Sequence, residues 1–323
     1  MRPWNRRTFV RASALFGAAH APGADAQPAR RLPATFKILV VGGTPQNLAP
    51  QGLIQGLEEY GLGADRDYSI RYHGDGLPFG PAELSQAGPD ILFAVGSRGV
   101  RMAKAATSSA PIIALDLESE PLREGLIARF SRPGGNLTGL FLDQSAMATK
   151  WLQYLTDTLP GLARVAVLRQ PGFAEGQWIA VQAESARRRL TLRLFEFEAD
   201  TLDRAFAEVT AWPAQAFIVL SSPLVVLSRT VLAKLALAAR LPSITMFRVY
   251  AEAGGLLAYG PDPLTMGNRA ASYVVRVLRG ASPGDLPAEQ PSRFELSVNL
   301  GTARALGLSL PSWITAGADA TFE

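Results

Sequence analysis

The chain has 323 residues and no cysteine. That excludes thiol nucleophiles, cysteine metal sites, disulfides and a lipid-modified cysteine, and it leaves any argument about compartment to other signals. Histidine is almost missing: there are two, His20 and His73. A Ser-His-Asp triad could be built only on His73 once the N-terminal segment is set aside, and no histidine pair has the spacing of a zinc site. There is no GxSxG elbow, because Gly96-Ser97-Arg98-Gly99 has the wrong spacing. There is no P-loop and no GxGxxG after the first apolar run. Gly42-Gly43 reads as a tight strand-to-helix turn. No apolar run approaches the ~18 uninterrupted residues of a membrane span, so stable membrane insertion is not expected. No dense Lys/Arg run is interleaved with aromatics, which argues against nucleic acid. Glu118 and Glu120 are the one close carboxylate pair at a strand end that a glycosidase could use.

The net charge of +4 is partly local. Arg2, Arg6, Arg7 and Arg11 stand against Asp25 in the first 26 residues; without them 28 basic and 27 acidic residues remain, a net of +1. This segment reads as an export signal: a charged start with Arg6-Arg7 and Phe9 in a twin-arginine-like pattern, a soft apolar stretch, and the small-x-small triplet Ala24-Asp25-Ala26. Cleavage near Ala26 and a periplasmic location are expected.

Apolar residues make up 48% of the chain, enough for sizeable cores. Short β-rich runs alternate with helical patterns, which predicts parallel sheets flanked by helices. KILVVG, the alternating Tyr68, Ile70 and Tyr72, DILFAV and PIIALD are strands. Leu53, Ile54, Leu57 and Tyr60 mark one helix, and Ser97 opens another. The rhythm restarts after Gly134-Gly135. A helix carries Ala148, Trp151, Leu152 and Leu155, then RVAVLR, a helix over residues 175–189, TLRLFEFE, AFIVLSS, a helix through Val231, Leu235 and Ala239, SITM and GGLLAY. Two similar Rossmann-like α/β lobes follow from this order, and a hinge between them is what the resemblance given below implies. The helix at 264–279 is expected to pack back on the first lobe. Pro283, Pro287 and Pro291 predict an extended link; that the tail over 294–306 crosses the hinge again is what the resemblance given below implies.

Several separated blocks carry a resemblance: ESEP at Glu118 to Pro121, SRPGGNLTGL at Ser131 to Leu140, and the stretch from Leu241 to Pro311 containing LPSITMFRVYAEAGGLLAYGPDPL. Together they resemble the ABC-transporter solute-binding proteins of the tryptophan/tyrosine type, over about Phe36 to the C-terminus. The resemblance implies a type I periplasmic binding fold. Lobe 1 would be 34–143 plus about 263–290, and lobe 2 144–262 plus about 291–323. It implies a non-catalytic job: a small solute, amino-acid-like or carboxylate-bearing, is caught between the lobes and delivered to a permease with its ATPase. It implies a monomer, no cofactor and no metal. A sensor module feeding a membrane receptor is the alternative; a two-lobed enzyme such as a glycosyltransferase is a third. The chain departs from the family's usual residues at Gly96-Ser97-Arg98, Glu120-Pro121 and Arg169-Gln170-Pro171, so tryptophan or tyrosine is not carried over as ligand.

Ligands of open parallel sheets gather beyond the carboxyl ends of strands, where helix N-termini offer free N–H groups. The candidates are Thr44, Gln46, Ser97, Arg98, Glu118, Ser119 and Glu120 in the first lobe. Gln170, Phe173, Ser221, Ser222 and Phe247 belong to the second, and Asp262 lies near the hinge. A ligand carboxylate would sit on the Ser97 helix N-terminus, an ammonium on Glu118, Glu120 or Asp262, and an aromatic ring on Phe247 or Phe173. Arg98 could pair with a carboxylate or stand in solvent. Plainer roles remain open: Ser97 and Ser221 as helix caps, Glu120 as a turn residue, Phe247 as core, Tyr259 as hinge packing.

Overall fold

A computed structural model of the chain describes residues 31–74 and 78–323. The expected export signal lies outside the described residues. The first lobe contains β1 (Phe36–Val41), α1 (Leu48–Glu59), β2 (Tyr68–His73), α2 (Pro81–Ala87), β3 (Ile91–Val95), α3 (Gly96–Ala106), β4 (Ile112–Asp116) and β5 (Leu137–Phe141). Its sheet runs β2-β1-β3-β4-β5, parallel throughout. The second lobe follows with α4 (Gln144–Thr158), β6 (Arg164–Arg169), α5 (Glu175–Arg187), β7 (Thr191–Glu196), α6 (Leu202–Ala211) and β8 (Ala216–Val219). It continues through α7 (Pro223–Leu227), α8 (Arg229–Ala238), β9 (Ser243–Thr245), α9 (Arg248–Glu252) and β10 (Leu257–Gly260). Then come α10 (Pro263–Leu278), a 3-10 turn at Pro283–Asp285, β11 (Glu295–Asn299), α11 (Leu300–Leu306), α12 (Ser312–Ala316) and β12 (Ala320–Phe322). The second sheet runs β12-β11-β10-β9-β8-β6-β7, with β11 antiparallel to β10 and the other pairs parallel.

The expected α/β architecture of two lobes is what forms. Strands buried on both faces need apolar residues at every position. In β3 and β4, Ile91, Phe93, Ile113 and Leu115 face one core while Leu92, Ala94, Ile112 and Ala114 face the other. The second sheet repeats this with Val165, Val167 and Ile218 against Ala166, Leu168, Phe217 and Val219. The core holding Leu53, Trp151, Val167 and Ala271 is continuous through both lobes.

Four details differ from the sequence reading. A fifth strand, LTGLF, stands where the rhythm was expected to restart directly with a helix; its Thr138 is fully buried and its hydroxyl donates to Leu286 O at 2.8 Å. The buried face of α8 is Leu232, Ala233 and Ala236, one step round from the expected Val231, which is 49% exposed. Tyr60 lies just past α1 and is half exposed. Ser97 is the second residue of α3, whose N-cap is Val95.

Three strands of chain join the lobes. Past β5, the Leu142 N–H donates to Asp116 O at 3.3 Å before α4 leaves for the second lobe. Past β10, α10 returns and packs on α1. Past α10, Glu289 lies beside β5, donating its N–H to Gly139 O and accepting from Phe141 N, both at 2.9 Å. Arg269 holds the Glu289 carboxylate through two bonds of 2.8 and 2.6 Å.

The α1–α10 crossing requires glycine. A Cβ on Gly52 would stand 1.9 Å from Leu264 O, and one on Gly267 would stand 2.0 Å from Ala49 O. Both neighbours are backbone, so a side chain must push the helices apart. We expect Gly267→Val to lower the urea unfolding free energy by about 1–3 kcal/mol, the usual effect of overpacking. A loss within ±0.5 kcal/mol, typical of a surface change, would contradict this contact.

Candidate functional site

The carboxyl ends of both sheets face one seam. On the first-lobe side, β4 ends in Asp116, which is fully buried. Its Oδ1 accepts the N–H groups of Glu118 (2.9 Å) and Ser119 (3.1 Å), which folds the chain into a tight turn. The turn delivers Glu118 to the start of α3: its Oε2 accepts the Ser97 hydroxyl at 2.6 Å and the Ser97 N–H at 3.4 Å. The place that the sequence assigns to a ligand carboxylate therefore holds one belonging to the chain itself. Glu118 is 8% exposed, and its Oε1 accepts no hydrogen bond from the described residues. Burial, followed by the Asp116 charge, pushes its carboxyl up to about 7, against the Ser97 hydrogen bonds and the attraction of Arg101. Burial also raises Asp116, opposed by the Ser119 hydroxyl and by the N–H groups it accepts. Among the described residues no cationic side chain lies within the 4.0 Å of an ion pair from either carboxylate.

The second lobe meets this turn through the first turn of α5. Gln177, 1% exposed, donates to Leu117 O (3.0 Å) and to Ser221 Oγ (2.6 Å), and its Oε1 accepts the Ser221 N–H (2.9 Å). One amide thus ties β8's end to β4's end across the seam. Gly176 beside it has no room for a side chain: a Cβ would lie 2.6 Å from Glu118 O. Farther along α3, Arg101 donates to Gly172 O at 3.3 Å. Behind the turn, Gln144 at the start of α4 donates to Leu117 O (2.9 Å) and Ser119 O (3.5 Å). Among the described residues Gln144 Oε1 is buried without a hydrogen-bond partner, and Asp116 Oδ2 and Ser119 Oγ have none beyond the attraction of the Ser119 hydroxyl to the Asp116 carboxylate.

Of the residues expected at a site, the structure brings Ser97, Glu118, Ser119 and Ser221 to this seam. Glu120 is half-buried beside them, its N–H donating to Glu124 Oε1 at 3.0 Å; burial raises its pKa. Arg98 is half-buried on α3 and makes no ion pair among the described residues. Others are engaged locally. The Thr44 N–H and hydroxyl donate to Asn47 Oδ1 (2.6 and 3.1 Å), and Gln46 is exposed in the same turn. Gln170 reaches Glu198 at 3.4 Å. Ser222, not Ser221, is the cap of α7, accepting from Val225 N–H at 3.4 Å. Phe247 and Phe173 are half-buried against the core. Asp262 caps α10, accepting from Leu264 N–H, Thr265 N–H and the Thr265 hydroxyl. It lines a pocket of about 160 Å³ with Arg269 and Glu289, away from the seam residues. Tyr259 stacks on Phe294 and tilts against Tyr154.

The seam residues that the sequence reading missed are Asp116, Gln144, Gly176 and Gln177. Asp116 had a signal, since an acid closing an otherwise apolar buried run is rarely solvated. A lone glutamine in a helix's first turn has none. No group of three or more acidic, histidine or cysteine residues able to hold a metal occurs among the described residues. None of the described helices is long and apolar enough to cross a membrane.

Comparisons with known proteins agree with this two-lobed, cleft-forming class. The model of the ABC transporter substrate binding protein family matches residues 38–322, and the chain belongs to that family. A tyrosine-binding protein of Clostridioides difficile (strain R20291) is 22% identical over 221 residues, 68% of this chain and 63% of that protein, so the match spans less than two thirds of the relative's length. Among solved structures, the ABC domain in complex with L-Trp from Streptococcus pneumonia superposes with a TM-score of 0.79 at 20% identity, covering 90% of this chain and 99% of that one. A conserved domain protein from Vibrio cholerae gives 0.77 at 22% identity, covering 89% and 99%.

The raised Glu118 carboxyl gives a signed pH dependence. Between about pH 4.5 and 7 the folded chain keeps a proton that the unfolded chain has released, so stability falls as pH rises through this interval. A shift from 4.5 to about 7 limits this one group's effect to about 3 kcal/mol. We expect urea midpoints to drop from about pH 5 to about pH 8, and Glu118→Gln to flatten that slope. A midpoint that rises across the interval would contradict the burial of this acid.

Proposed function

We propose that the protein is the extracytoplasmic receptor of an ABC importer, holding a small solute in the seam and handing it to a permease driven by an ATPase. One observation carries the reading: Gln177 bonds the ends of β4 and β8 together, so the two strand-end edges are built to meet. Solute contacts drawn from both edges would favour the closed arrangement, and only their differential affinity for it can drive closure. Lobe boundaries of 34–143 plus about 263–290 and 144–262 plus about 291–323 would allow this motion. The task is non-catalytic and needs no cofactor. The arginine-rich N-terminal sequence with Ala24-Asp25-Ala26 supports export to the periplasm. The tyrosine-binding relative and the L-Trp complex support a solute of amino-acid size.

The reading is tested by pairing a thermal-shift screen with uptake. A true solute at 100 times its Kd adds about 2.7 kcal/mol of stability. A strain lacking this chain is expected to lose high-affinity uptake of that same solute. A stabilising solute whose uptake is unchanged would instead favour the sensor alternative.

A further inference from the structure

We infer that the seam takes a protonated amine carrying no carboxylate beside it, with Glu118 supplying the anion that an amino acid would bring. The inference rests on the seam being the solute site. Its first support is occupancy of α3's N-terminus. The Ser97 hydroxyl and N–H are both spent on Glu118 Oε2. A ligand carboxylate would have to displace that bond, and it would then leave a second buried acid without donors beside Asp116. The second support is independent of the helix. Gln144 Oε1, on the amide clamped to the 116–119 turn, is a buried acceptor without a partner among the described residues, and Asp116 Oδ2 has none there beyond the attraction of the Ser119 hydroxyl to its carboxylate. Glu118 Oε1 adds an acceptor with no donor among the described residues.

An ammonium group brings three donors, no acceptor and one positive charge, which matches this set in sign and in hydrogen-bond type. The neighbouring cations do not fill the role. Arg101 lies along α3 on Gly172 O, with Glu124 at 3.8 Å, and Arg98 pairs with neither acid. Glu120 and Asp143, whose charges act on each other, add further negative charge near the turn, offset in part by Arg123, which acts on Glu120. A zwitterion would meet this edge with one matched and one mismatched end; a simple amine meets it with the matched end alone.

The test compares amines with the amino acids from which they differ by one carboxylate. The probes are tyramine and tyrosine, tryptamine and tryptophan, phenethylamine and phenylalanine, agmatine and arginine, and cadaverine and lysine, titrated calorimetrically into the exported form of the chain. We expect at least one amine to bind ten times more tightly than its amino acid. Glu118→Gln keeps an oxygen for Ser97 but removes the charge, and it is expected to weaken that amine at least tenfold while leaving the amino acid unchanged or improved. The wild-type comparison stands even if the variant does not fold. An amino acid binding more tightly than its amine overturns the inference while leaving the receptor reading intact. Silence in both series overturns it as well, and the receptor reading is then decided separately by the uptake of the deletion strain.

Discussion

Two acids in one buried turn, with no cation among the described residues paired to either, constrain everything around the seam. An ionised carboxylate removed from water is unfavourable by far more than a hydrogen bond returns, unless donors surround it. Asp116 meets this demand by accepting the N–H groups of Glu118 and Ser119. Glu118 meets it by sitting on the first turn of α3, where the partial positive charge of the helix adds to the Ser97 hydroxyl and N–H. The parallel pairing of β3 with β4 makes this geometry available, because it brings the strand ends that lead into α3 and into the 116–119 turn side by side. Remove that adjacency and both acids would have to reach solvent, opening the edge that the second lobe closes against.

The way α5 meets this edge follows from the same constraint. The turn presents backbone carbonyls outward, so the facing helix must come close and must bring donors. Gly176 gives the closeness and the Gln177 amide gives the donors. On the opposite side, the α1–α10 crossing anchors a helix that follows a second-lobe strand onto the first lobe, again with glycines at the contact. Two glycine-dependent approaches therefore bracket the chain's crossings. One is a broad helix-on-helix surface and the other a few hydrogen bonds. Opening by separation at α5 breaks the Gln177–Leu117 and Arg101–Gly172 hydrogen bonds, whereas separation at α1–α10 would expose the apolar packing around Leu53 and Ala271. The lobes should therefore part at α5 and pivot at α10.

Much of the fold is legible in the sequence because its strands obey a rule with few alternatives. Four- to six-residue apolar runs such as DILFAV and AFIVL cannot be solvated on either face, so they declare a helix-covered parallel sheet. LTGLF escaped because a buried threonine and a glycine interrupt the run, and Thr138 is satisfied only by Leu286 O, 148 residues away. The face of α8 was misjudged because RTVLAKLALAAR is apolar on two adjacent stripes, and only its neighbours choose between them. Of the site, Ser97, Glu118, Ser119 and Ser221 were legible as polar residues at strand ends. Their partners were not. Asp262 and Ser222 have the same local character and became helix caps, since a short polar side chain before a proline-led helix serves either purpose.

The departures from the family's usual residues gather where these interactions gather. Gly96-Ser97-Arg98 begins α3, Glu120-Pro121 follows the acidic turn, and Arg169-Gln170-Pro171 leads toward α5. Arg169 is neutralised within its own lobe by Glu175 and Glu196, so it does not offset the seam's acids. Specificity is a difference of affinities, and a site can create it by penalising the wrong partner as well as by rewarding the right one. An internal carboxylate at a helix N-terminus does both: it repels a second anion from the best anion position on the lobe and supplies an acceptor to a cation. Because Gln177 already links the lobes through the chain's own groups, the solute does not have to provide the whole of the closing contact. What it must provide is a difference between the two arrangements. If the seam is the solute site as proposed, the acids of this turn are the groups on which such a difference can act.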